Sequence, residues 1–160
     1  MTPWIVTGGH NGLAYPRVIA NGRNQTAWLV DALLRESGPT ETWFFVWDRP
    51  VGGDTGGHPR RWLRIGYDNG VGAALFHDGG AAPGDDFAWL TVGSSRAAAG
   101  PVYYDRDRPT IFPAGSVLPL GRLRDVILEW VRTGERPTSV EWLPVNSLTW
   151  DLTAAGELRR

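Results

Sequence analysis

The sequence contains no cysteine and no lysine, and its 160 residues include three histidines and a single methionine. Without cysteine there is no disulfide, no thiolate metal ligand and no Cys–His nucleophile pair. Without lysine there is no Schiff base and no lysine general base. No apolar run approaches the ~18 residues that a membrane-crossing helix needs. The start, Met1-Thr2-Pro3-Trp4-Ile5-Val6, lacks the basic residues and apolar stretch of a secretory signal, so a cytoplasmic protein is expected. A charge excess is missing too. Sixteen basic residues, all arginine, meet seventeen acidic ones, for a net charge of −1. Nucleic-acid binders usually carry a basic face. Neither direct nucleic-acid binding nor membrane association is expected here.

What the chain does have is apolar bulk. Hydrophobic residues make up 42% and charged residues 21%, a balance that supports one packed domain over residues 1–160. Nine of the residues are tryptophan: Trp4, Trp28, Trp43, Trp47, Trp62, Trp89, Trp130, Trp142 and Trp150. Most belong in a core, since each such ring buries ~150–250 Å². The remainder suit a protein interface, where Trp and Arg concentrate at the energetic centre.

Periodicity then divides the chain. Residues 25–37 read as a helix, with Asn24 as N-cap and Ala27, Val30, Leu33 and Leu34 on one face. Gly38-Pro39 stops it. The aromatic and β-branched run from Glu41 to Trp47 reads as a strand. From Arg61 to Tyr67 apolar and polar residues alternate, Asp68-Asn69-Gly70 makes a tight turn, and Val71 to His77 returns as the partner strand. Residues 87–92 and 102–104 add further strands. A second helix runs from Pro119, placed at its first position, to Thr133, with Leu120, Leu123, Val126, Ile127 and Trp130 as its apolar stripe. Gly134 ends it. Residues 138–143 read as a last core strand with Val140 and Trp142 on one face. The Gly-rich segments 51–59 and 78–86 are loops. Strands in succession, joined by short turns, predict an α+β fold: a mostly antiparallel sheet with the two main helices on one face.

No catalytic set emerges. His10, His58 and His77 are far apart, and no pair has the i, i+4 spacing of a helical zinc motif. Val92-Gly93-Ser94-Ser95-Arg96 is not a nucleophile elbow. Gly70-Val71-Gly72 precedes a strand and offers phosphate no helix N-terminus. Gly72 there signals close backbone approach or a bulge. Thr7-Gly8-Gly9-His10-Asn11-Gly12 lacks the Gly-Lys-Ser/Thr of a phosphate loop. The expectation is a binding protein with no catalytic residue, cofactor or metal. Two alternatives stand beside it: a small hydrolase using His10 or His77 with Asp partners, and a small-molecule-binding module with a pocket lined by Trp43, Trp47 and Trp89. Acidic and aromatic residues coincide at Asp85, Asp86, Trp89, Tyr103, Asp105 and Asp107. With Asp78 they are candidate partner-binding residues, facing a basic cleft on a partner and steering its approach. For any single carboxylate the plainer reading is solvated loop charge.

The ordered set of segments carries a resemblance. The hairpin from Trp62 to Phe76, the stretch Val102-Tyr103-Tyr104, and the run Phe112-Pro113-Ala114-Gly115-Ser116-Val117-Leu118-Pro119-Leu120 belong to it. So do the helix exit from Val126 to Trp130 and the segment Thr133 to Trp142. Together, over about residues 24–143, they resemble the first-numbered Imm family of bacterial polymorphic-toxin immunity proteins. That resemblance implies a strand-rich α+β protein and a cognate toxin as partner, often a zinc-dependent nucleic-acid deaminase whose metal belongs to the toxin. It also implies neutralisation by covering or locking the toxin's active site.

Overall fold

The computed structural model describes residues 5–10, 18–35, 40–47, 60–93, 100–105 and 110–145. In chain order the elements are β1 (Ile5–His10), β2 (Val18–Asn21), α1 (Arg23–Arg35), β3 (Thr40–Trp47), β4 (Arg61–Asp68), β5 (Val71–Asp78) and β6 (Ala88–Thr91). Then come β7 (Tyr103–Asp105), β8 (Thr110–Ile111), a 3₁₀ turn (Ala114–Ser116), β9 (Leu118–Pro119), α2 (Leu120–Thr133) and β10 (Trp142–Pro144). The main sheet runs β10-β6-β5-β4-β3-β1-β2, with β9 also paired to β5, and every pairing is antiparallel. The expected α+β architecture is present.

The β4–β5 hairpin is the centre of the sheet. Its turn puts Asn69 at φ 48° and Gly70 at φ 80°. Two successive left-handed residues match the right-handed twist of the flanking strands. Pairing Leu63 with Phe76, Ile65 with Ala74 and Tyr67 with Gly72 then sends one set of side chains to one face. Both helices pack on that face. Leu29, Val30, Leu33 and Leu34 from α1 join Leu123, Val126, Ile127 and Trp130 from α2 in a single buried cluster with the strands. At Gly72 an added Cβ would sit 2.5 Å from the Leu123 side chain, the close approach that this glycine signals in the sequence. Arg124 clamps Asp31 through two hydrogen bonds, of 2.6 and 3.1 Å, tying α2 to α1. The Tyr67 hydroxyl donates to the Leu33 carbonyl inside the core.

The opposite face is covered as well. The β7–β8 hairpin and the segment through Val117 place Val102, Phe112 and Val117 against Ala73, Leu75 and Leu90. The β7 backbone crosses directly over Gly66, where a Cβ would lie 2.1 Å from the Tyr103 carbonyl oxygen. Gly66 is therefore what lets the hairpin seat.

Several boundaries differ from the sequence expectation. The carbonyl of Gly22, at φ 88°, accepts the Thr26 N–H at 3.0 Å, so Gly22 caps α1 and Asn24 lies inside its first turn. Pro119, at φ −56° and ψ 143°, caps α2 and does not open it, because its backbone is already paired with Val71 in β9. The last strand spans only Trp142–Pro144 at the sheet edge, where a proline is tolerated. The segment before it is a loop. Two strands, β1 and β2, occupy a region in which the sequence pattern marks none. Among the described residues no helix is long and apolar enough to cross a membrane.

Candidate functional site

The site forms where α2 ends. Gly134 takes a left-handed conformation (φ 69°), and its N–H closes the helix on the Trp130 carbonyl at 2.8 Å. The chain then loops from Glu135 to Glu141 over one end of the sheet before joining β10.

Three sets of contacts fix this loop. The Glu129 carboxylate accepts the Thr138 N–H at 2.8 Å, the Thr138 hydroxyl at 2.9 Å and the Ser139 N–H at 3.1 Å. Burial alone would raise the pKa of Glu129, but these bonds to its charged form prevail and hold it at about 2, below the usual 4.5. The Trp142 indole N–H donates to the Pro137 carbonyl at 2.7 Å, and Arg122 donates to the Ser139 carbonyl at 2.6 Å. Arg61 completes the frame. It pairs with Asp78, its cross-strand neighbour, at 2.8 Å and with Glu135 at 2.6 Å.

Glu129→Gln is expected to lower stability by about 1–2 kcal/mol, since all three bonds lose their charged acceptor and at least one N–H is left facing an amide NH2. The pH dependence has a definite sign. A carboxylate held below its unfolded pKa stabilises the fold fully above about pH 4.5, and that contribution is lost as pH falls toward 2. Urea denaturation from pH 7 to pH 2.5 checks both statements. The variant shows a shallower loss over the acid limb.

Between the loop and the sheet lies an open cleft of about 510 Å³. It is lined by Phe76, Asp78, Trp89, Glu135, Arg136, Pro137, Thr138, Val140 and Trp142. Its floor is aromatic. Phe76 contacts Trp89, Trp142 and the buried Trp130, with ring centroids 5.7, 6.2 and 5.3 Å away. The Arg136 guanidinium stacks over Trp89, 4.3 Å from the ring centroid. The two wall carboxylates, Asp78 and Glu135, are both engaged by Arg61. An apolar floor, a stacked cation and acids already committed to a partner suit the capture of a protruding side chain or ring.

His77 points away from the cleft, because it alternates with Phe76 along β5. It stacks on Trp62 (4.7 Å, 10° between planes) and meets the edge of Phe87. Burial among these rings lowers its pKa, and the neighbouring Asp78 charge opposes that shift.

Of the residues singled out by sequence, the structure gathers Asp85, Asp86 and Trp89 on the β5–β6 hairpin, whose strand β5 ends at Asp78 in the cleft wall. Trp89 is in the cleft itself. Asp85 is exposed and Asp86 half-buried in the turn. Tyr103 and Asp105 belong to β7, which crosses the other face of the sheet, so they do not join this group. Asp107, like the alternative pocket's Trp43 and Trp47 side chains, lies outside the described residues. Arg136, Phe76 and Trp142 are site residues that the sequence pattern does not mark. The available signal was a charged pair, Glu135-Arg136, held between a helix-ending glycine and a proline. Trp28, 64% exposed on α1, is the one large hydrophobic exposed among the described residues and lies apart from the cleft.

The family model described as immunity protein Imm1 matches residues 18–144. No curated protein and no solved structure gives a significant match. The matched span opens at the first residue of β2 and closes at the last residue of β10. It takes in both helices, the central hairpin and every residue of the cleft, and on that evidence the chain belongs to the Imm1 family of immunity proteins.

Proposed function

We propose that this protein neutralises a cognate bacterial toxin by binding it, with the Trp89 cleft and the adjoining β5–β6 turn as the binding face. The observation that carries this reading is the family match across residues 18–144, which spans the elements that build the cleft. The toxin class we favour is a nucleic-acid deaminase, an enzyme that activates water on zinc to attack a base. Such an enzyme needs a basic approach for its substrate, and Asp85 and Asp86 offer that approach a local complement. Neutralisation then requires only that the cleft face cover or lock the toxin's active site, over a standard interface of roughly 1,600 Å² in total.

Co-expression with the toxin domain encoded beside it tests the reading. Survival together with a recoverable complex is the expected result. Survival without a complex would indicate an enzyme that reverses the damage. Failure to protect would leave the cleft as a site for a small ring-bearing molecule, the reading that its aromatic floor otherwise favours. Within the complex, reversing Asp85 and Asp86 to arginine is expected to slow association about tenfold at low salt, with the difference fading as salt rises. An unchanged association rate would remove the turn from the interface.

A further inference from the structure

We infer that the cleft receives a carboxylate side chain of the toxin, held by the Arg136 guanidinium on its Trp89 platform. This rests on the reading of the cleft as the toxin-binding face. The two arginines at this end of the sheet differ in one respect. Arg61 is engaged by two carboxylates, its Nε by Asp78 and its Nη1 by Glu135. Arg136 is exposed, and among the described residues its one interaction is the stack on Trp89. That contact is made over the ring face, and the guanidinium donates no hydrogen bond to any other described residue, so its N–H groups stay available. They form a planar fork matched to a carboxylate, and lysine cannot reproduce it.

The surroundings favour such a pair. The nearby acids do not compete for Arg136, because Arg61 holds them. The loop that carries Arg136 is fixed by Glu129 and Trp142 on its far side, so little freedom remains to be lost on binding. Half-buried Trp142 and Val140 line the cleft around the buried Phe76 ring and offer an apolar surface to whatever flanks the incoming acid. The occupant is therefore an Asp or Glu next to an apolar or aromatic residue on the toxin surface. With the acidic β5–β6 turn alongside, the face presents both signs of charge at fixed positions, which selects one docking orientation.

The test measures affinity of the full-length protein for the toxin domain encoded beside it, by calorimetry, for Arg136→Ala, Arg136→Lys, Arg136→Glu and Trp142→Ala. Arg136→Ala is expected to weaken binding at least tenfold and Arg136→Glu more. Arg136→Lys falls between wild type and Ala, because charge alone is kept. Affinities within threefold of wild type for all three Arg136 variants, with Trp142→Ala clearly weakened, would overturn the carboxylate anchor and leave the cleft as the interface. Unchanged affinity in all four would overturn both. A wild-type protein that does not bind the toxin would overturn the inference together with the reading beneath it.

Discussion

Gly66→Ala is expected to cost about 3 kcal/mol of stability, at the upper end of what overpacking a tight site produces, whereas Gly121→Ala should stabilise by about 0.5 kcal/mol. The two substitutions add the same atom, and the surroundings set opposite signs. At Gly66 the new Cβ lies 2.1 Å from the Tyr103 carbonyl oxygen, 3.0 Å from the Phe112 ring and 3.1 Å from Val102. The nearest of these atoms is backbone, so no rotamer change relieves the clash. The β7–β8 hairpin must lift, and Ala73, Leu75 and Leu90 then lose their cover. Gly121 sits in the first turn of α2 with nothing within 4 Å of the added atom. There the substitution only reduces the freedom of the unfolded chain. Urea midpoints of the two variants measure the contrast, and equal effects would mean that β7 does not rest on β4.

The second large effect is on binding. Trp89→Ala is expected to weaken toxin binding about a hundredfold, or roughly 2.7 kcal/mol, the scale of an interface hot spot. The ring does two things at once. It packs on Phe76 as part of the cleft floor, and it carries the stacked Arg136 guanidinium. Trp28→Ala is the matched control, since Trp28 is the exposed rival anchor on α1. Its removal should leave affinity within about threefold, as is usual for residues outside the few that dominate an interface. Circular dichroism on both variants separates lost binding from lost fold.

How much of this was legible in the sequence follows from how local each feature is. The β4–β5 hairpin announced itself because its alternation and its Asn-Gly turn lie within eighteen consecutive residues, Arg61 to Asp78. The stripe and the terminal Gly134 of α2 are equally local. Strand β1 was hidden by Gly8 and Gly9, which contribute no side chain to an alternating pattern. The strand at 102–104 is legible and appears as β7, but its role as a second covering layer is not, because β7 and the two-residue β8 gain that place only by packing on the far face of the sheet. The stretch from Thr138 to Leu143 alternates as a strand should. It is mostly loop because the Thr138 and Ser139 N–H groups, which a strand would give to a neighbour, go to the Glu129 carboxylate. The cleft suffered from the same distance effect. Trp89 stood out beside its acidic turn, but Arg136 and Trp142 reach it only through the fold.

Hydrogen exchange of the protein with and without bound toxin tests the central claim most directly. The account predicts slowed exchange on binding in the β5–β6 turn at residues 79–87 and in the loop at 135–141, with little change along α1. Slowed exchange confined to α1 around Trp28, with both cleft segments unchanged, would contradict it.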